Sequence, residues 1–118
     1  MATQEFDLDA FVHAVEQRDA GGQLGAYADQ AQVLIVDATA PPSSPRTFDG
    51  LEAIGRWVGD VAARDMTHRV NWAAKEGDRV AFVEDCEYPG GEKVLCMTTM
   101  DIVDGRIVRQ LVSQAWDS

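Results

Sequence analysis

The chain is poor in what would fasten it to a membrane, a nucleic acid or a metal. No apolar run approaches the ~20 residues of a bilayer-spanning helix. Met1-Ala2-Thr3-Gln4-Glu5-Phe6-Asp7 has neither the positive start nor the apolar block of a secretory leader. A cytoplasmic protein with no membrane partner is therefore expected. Cations are scarce: 10 Lys and Arg stand against 20 Asp and Glu, for a formal net charge of −10. That field repels phosphate backbones and anionic head groups, so no nucleic acid is expected as a partner. The acids are scattered and form no tail, and solubility accounts for them.

Histidine, cysteine and proline are rare as well. His13 and His68 have neither i, i+4 spacing nor a neighbouring cysteine pair, so no metal site is expected. No Gly-rich phosphate loop follows a strand and there is no serine nucleophile elbow, so no cofactor is expected either. Cys86 and Cys96 lie on runs joined by one hairpin. They read as small packing residues kept reduced, with a disulfide as the alternative. No Lys or Arg neighbours either thiol on its own strand face, which argues against an activated nucleophile. Three of the 4 prolines fall in Ala40-Pro41-Pro42-Ser43-Ser44-Pro45. Without their N–H groups this stretch cannot pair continuously in a sheet and reads as a loop at a pocket rim.

What the sequence does have is concentrated in its C-terminal part. Thr67–Lys75, Arg79–Tyr88, Lys93–Val103 and Ile107–Trp116 alternate apolar and polar residues, with turn signals at Glu76-Gly77-Asp78, Pro89-Gly90-Gly91 and Asp104-Gly105. Four strands without an intervening helix make a curved antiparallel meander. Upstream, Leu8, Phe11, Val12 and Val15 fall at helical spacing behind the capping residue Asp7, which predicts a helix from Asp7 to Arg18 closed by Gly21-Gly22. A short helical segment carrying Leu24, Tyr27 and Ala28 follows, and Ala31–Val36 reads as a strand. Asp49-Gly50-Leu51-Glu52 opens a second long helix that ends near Arg64, with Leu51, Ile54, Trp57 or Val58, and Val61 on one face.

One domain spanning 1–118 is expected, since 118 residues with 46% hydrophobic content support one core and no second domain. The fold class is α+β: a cone-shaped, curved antiparallel (mixed) sheet whose N-terminal helices cover one face around a pocket. If Asp104-Gly105 is a two-residue turn, Met97, Thr99 and Asp101 share a face with Val108, Val112 and Trp116. A three-residue loop at Glu76–Asp78 sets His68, Val70 and Trp72 beside Phe82, Glu84 and Cys86. The opposite face then carries Met100, Ile102, Ile107 and Leu111, apolar surface that predicts a homodimer.

The element order resembles the nuclear transport factor 2-like superfamily, in particular its SnoaL-like branch of polyketide cyclases and ketosteroid isomerases. Three stretches carry the resemblance: Ala26-Tyr27-Ala28-Asp29-Gln30-Ala31-Gln32-Val33, Phe48-Asp49-Gly50-Leu51-Glu52-Ala53-Ile54 and Asp104-Gly105-Arg106-Ile107-Val108. It covers nearly the whole chain and implies a cone fold around a pocket. Residue by residue, the base of the ketosteroid isomerase pattern corresponds to Asp37, and its late tryptophan to Trp116. Its tyrosine on the first helix has no counterpart in Val12-His13-Ala14. The acid of its third meander strand falls near Met97–Thr99, with Asp101 the nearest carboxylate.

The candidate catalytic residues are Asp37, His68 and Asp101. Asp37 stands where an apolar strand opens into the proline loop, a place expected to half-bury its carboxylate and raise its pKa toward that of a base; a turn-forming Asp is the alternative. His68 is placed to exchange a proton with Asp37 or Glu84. Asp101, mid-strand among apolar neighbours, has to be exposed, paired or functional. Tyr27, Trp57, Trp72, Phe82, Glu84, Thr99 and Trp116 are the candidate substrate contacts. Two functions compete: a cofactor-independent isomerase, cyclase or hydrolase acting on a small hydrophobic molecule, and a noncatalytic binding or dimerisation module.

Overall fold

The computed structural model describes residues 5–117; residues 1–4, part of the N-terminal stretch read above, lie outside it, as does Ser118. The elements run α1 (Leu8–Glu16), α2 (Ala20–Leu24), β1 (Tyr27–Val36), β2 (Arg46–Asp49), α3 (Gly50–Ala63), β3 (Thr67–Glu76), β4 (Arg79–Glu87), β5 (Lys93–Val103) and β6 (Arg106–Trp116). The Asp7 carboxylate caps α1 by accepting from the Ala10 N–H at 3.0 Å. Asp19 does the same for α2 through the Gly22 N–H at 2.9 Å. Gly21 and Gly22 therefore sit inside α2 and do not close α1. The chain turns out of α1 at Arg18, whose φ is 56°.

Two further expectations are corrected here. Tyr27 and Ala28 belong to β1, not to a helix: an irregularity between Tyr27 and Gln32 breaks the two-residue alternation, which gives Leu24, Tyr27 and Ala28 a helical look in the sequence. Arg46–Asp49, between the proline loop and the second long helix, is not read as a strand in the sequence, yet it forms β2 and pairs antiparallel with β1. The carboxylate of Asp49 does not cap α3. It accepts from Gln32 Nε2 at 2.9 Å, pinning β2 to β1.

The strand order is β2-β1-β6-β5-β4-β3, an antiparallel meander joined to β1 by a parallel β1–β6 pair. The sheet is curved and unclosed, with the helices on one side. Phe11 and Val15 of α1 and Ile54 and Val58 of α3 pack onto Val33, Ile35, Val80, Phe82, Met100, Ile102 and Ile107. Each such buried side chain contributes about 1.5–3 kcal/mol of transfer free energy. Among the described residues, no helix is long and apolar enough to cross a membrane.

Two bulges decide which side chains face the helices. Asp101 pairs with Arg109 and Ile102 with Ile107, so Val108 is an extra residue in β6. Beyond it β5 is shifted by one residue against β6: Val112 and Trp116 keep the covered face, opposite Thr98 and Val94, while Met97, Thr99 and Asp101 look outward beside Ser113, Leu111 and Arg109. Met100, Ile102 and Ile107, expected on a dimer face, are core. The second bulge is Asn71, between the pairs Val70–Glu84 and Trp72–Val83. It turns Trp72 to the outer face, where it is 55% exposed. The β3–β4 turn holds two residues, since Glu76 pairs with Arg79.

Candidate active site

Curving the sheet away from α1 and α3 leaves a cavity of about 80 Å³ whose walls include Phe11, Tyr27, Val58, Phe82, Val94 and Val112. A single water needs roughly 10–15 Å³ on the same measure, so this chamber has room for more than one water. A wider hollow of about 600 Å³ lies outside it, bounded by Asp37, Thr39, Arg46, Phe48, Arg56 and Asp60. Trp57, Val61, Arg64, Gln114 and Trp116 line both spaces and form the neck between them. Trp57 is held by stacking on Phe48 and Trp116 by stacking on Tyr88. Arg64 donates to Asp60 Oδ2 at 2.7 Å and to the Tyr88 hydroxyl at 3.3 Å, and the Asp60 bond raises its pKa further.

The inner chamber holds a polar cluster on the sheet floor. His68 faces Cys86 across the β3–β4 ladder, and Glu84 follows two positions away on the same face. His68 Nδ1 and Glu84 Oε1 are 2.6 Å apart, with side chains only 5% and 12% exposed. Cys86 Sγ lies 3.3 Å from that nitrogen and donates to that oxygen at 3.2 Å. A hydrogen bond with Cys96, burial and the Glu84 charge push the Cys86 thiol far up, so it stays protonated and is no nucleophile. Both cysteines are free. Of the two acids named for His68, its partner is Glu84.

A second polar pair closes the other side. The Tyr27 hydroxyl donates to Gln110 Oε1, both residues being buried, and burial pushes the Tyr27 pKa up. With Oε1 so engaged, the amide of Gln110 is fixed with its N–H groups as the remaining polar function. Thr98, also buried, lines the same space.

Asp37 belongs to the outer hollow and is not a poised base. Its carboxylate accepts from the Thr39 hydroxyl at 2.7 Å and the Thr39 N–H at 2.8 Å, and pairs with Arg46 at 2.7 Å. These partners, led by the Thr39 hydroxyl, lower its pKa and overcome desolvation, opposite to the rise expected from the sequence. Asp101 is partly exposed on the outer face and lies 3.4 Å from Arg79 Nε, which answers its mid-strand position without a catalytic role. Trp72 and Thr99 share that outer face and touch neither space. Tyr27, Trp57, Phe82, Glu84, His68 and Trp116 do line the chamber.

Sequence reasoning missed Gln110, Thr98 and the convergence of His68, Glu84 and Cys86 as ligand-type groups. The expectation of no metal-type cluster rested on spacing along the chain, whereas these three residues meet across a ladder, where sequence spacing carries no signal.

Residues 8–110 match the family model described as a SnoaL-like domain. Among solved structures, an NTF2-like protein of unknown function from Mesorhizobium loti superposes with a TM-score of 0.78 at 17% identity, covering 92% of this chain and 87% of that one. A candidate ketosteroid isomerase from Kribbella flavida DSM 17836 gives 0.73 at 14% identity, with 93% and 74% covered. A candidate polyketide cyclase from Sinorhizobium meliloti gives 0.65 at 21% identity, with 89% and 91% covered. At these identities the likeness is one of fold. No curated protein matches significantly.

Proposed function

The chain belongs to the SnoaL-like domain family, and we propose that it is a cofactor-independent isomerase or cyclase that moves a proton on an apolar carbonyl compound. The observation that carries this reading is the His68–Glu84 contact at 2.6 Å inside an otherwise apolar chamber. An ionised Glu84 accepts the Nδ1–H of His68, fixes the tautomer, and leaves Nε2 with the lone pair of a general base. Removing a proton next to a carbonyl yields an enolate, the common first step of double-bond migration and of ring closure by carbon–carbon bond formation. Glu84 steadies the imidazolium that results.

The developing oxyanion needs a donor in the same dry space. Gln110 offers its amide N–H groups there, held by the Tyr27 hydroxyl on the carbonyl side. The reactive ring enters the inner chamber, the neck of Trp57 and Trp116 grips it, and the rest of the substrate lies in the outer hollow. Each arginine of that hollow has an acidic partner: Arg46 with Asp37, Arg56 with Glu52 and Arg64 with Asp60. The hollow therefore favours uncharged groups over free phosphates or carboxylates.

The test is a panel of β,γ-unsaturated cyclic ketones, followed by the absorbance of the conjugated product. Turnover by the wild type that is lost in His68→Gln and kept in Asp37→Asn supports the reading. Turnover lost in Asp37→Asn and kept in His68→Gln refutes it. The noncatalytic alternative predicts ligand binding without turnover on every member of the panel.

A further inference from the structure

The proton-transfer reading uses His68 and Glu84 and has no task for Cys86, a third ligand-type group buried against both. The ligand atoms of the three lie within 4.8 Å of one another. Their side chains come from two neighbouring strands whose pairing is continuous from Thr67–Glu87 to Val70–Glu84, so the backbone holds them in place without a loop. A fourth group, Cys96, pairs across from Glu84 and lines the same chamber.

We propose that His68, Glu84 and Cys86 form a binding site for a divalent transition-metal ion of the zinc class, with its remaining coordination position open to the inner chamber. The donor set selects the ion: a sulfur, an imidazole nitrogen and a carboxylate oxygen suit Zn²⁺ and Co²⁺, whereas Mg²⁺ and Ca²⁺ take oxygen ligands. Bond lengths of about 2.0–2.3 Å at tetrahedral angles put ligand atoms about 3.3–3.6 Å apart. The two sulfur separations, 3.3 Å to His68 Nδ1 and 3.2 Å to Glu84 Oε1, already stand near that range. Only the nitrogen–oxygen pair, at 2.6 Å, has to open, by a small rotation of the Glu84 side chain.

Binding replaces the Cys86 S–H bond with a metal–sulfur bond and releases that proton to solvent, while the imidazole takes the tautomer with its proton on Nε2 and its Nδ1 lone pair on the ion, with no change of oxidation state. The cation occupies Nδ1 and Oε1, the two atoms that the proton-transfer reading joins by a hydrogen bond, so the metal-loaded chain and the proton-transferring chain are alternative states. The metal site stands on the ligand geometry alone and does not rest on that reading.

The experiment is a titration of the reduced, chelator-treated full chain with Co²⁺. The expected result is saturation at one equivalent, with a thiolate-to-cobalt charge-transfer band and the intense visible bands of a tetrahedral ion, both bleached by Zn²⁺. Cys86→Ser and Cys86→Ala are expected to abolish the charge-transfer band while far-ultraviolet circular dichroism stays that of the wild type. Cys96→Ser keeps the band. Since loss of even an outer-shell partner weakens such sites about 10–100-fold, His68→Gln and Glu84→Gln are expected to weaken binding at least as much. A folded wild type without the band overturns the site, as does a band that survives both Cys86 variants or depends on Cys96.

Discussion

His68 Nδ1 and Glu84 Oε1 meet at 2.6 Å although 16 residues separate them, because the β3–β4 ladder sets both on the covered face before the Asn71 bulge intervenes. The pair is nearly solvent-free, so each group depends on the other and on the Cys86 thiol for its partners. Glu84→Leu is expected to destabilise the fold by about 1–3 kcal/mol in urea denaturation, the cost of stranding a buried polar group. Combining it with His68→Leu should cost less than the two single changes added together. Strict additivity would show that the contact contributes nothing.

Asp37 gives a pH signature of known sign. Its folded pKa is depressed, chiefly by the Thr39 hydroxyl, so its contribution to stability is present above the unfolded value and lost as pH falls through the folded one. The difference in unfolding free energy between wild type and Asp37→Asn is expected to hold from neutral pH down to about 5 and to shrink below the ordinary carboxylate value of about 3.9. A difference that grows on acidification contradicts this assignment.

The inner chamber is small enough to fill. Val112 lines it and is 4% exposed. Val112→Trp is expected to abolish quenching of tryptophan fluorescence by 2-cyclohexenone, at a stability cost of about 1–3 kcal/mol for overpacking. Quenching unchanged in this variant places the ligand elsewhere.

The outer face of the sheet is expected to join two copies of the chain. Trp72, Leu95, Met97 and Leu111 are each 41–55% exposed there, on the face away from the helices. Exposed apolar side chains gathered on one sheet face are the kind of surface that a twofold interface between two copies would bury. Sedimentation at micromolar concentration should show a dimer for the wild type and a monomer for Met97→Glu. A monomeric wild type removes the interface.

Periodicity and turn chemistry made the four meander strands and the long helices legible, because Asp7, Gly50 and Asp104-Gly105 each answer a local backbone requirement. His68, Glu84 and Cys86 came out on one face because two misreadings cancel there: the β3–β4 turn holds one residue fewer than the Glu76–Asp78 loop read in the sequence, and the Asn71 bulge adds one back. The bulges at Val108 and Asn71 were not readable. Each adds one residue without a sequence mark: Val108 shifts β5 against β6, which is why Thr99 and Asp101 were placed inward, while Trp72 was placed inward by a β3–β4 turn counted one residue too long. The pKa of Asp37 was misjudged for a different reason. Burial was inferable from its position, but Thr39 and Arg46 as partners depend on how the proline loop folds back.

The central claim, that His68 backed by Glu84 removes a proton next to a carbonyl, is tested most directly by deuterium exchange at the α-carbons of cyclic ketones in D₂O, followed by NMR. The wild type is expected to exchange these protons well above the buffer rate, and His68→Gln about 10²–10⁴-fold more slowly than the wild type. A His68→Gln protein that exchanges as fast as the wild type, or a wild type no faster than buffer with ketone saturating the tryptophan signal, would contradict it.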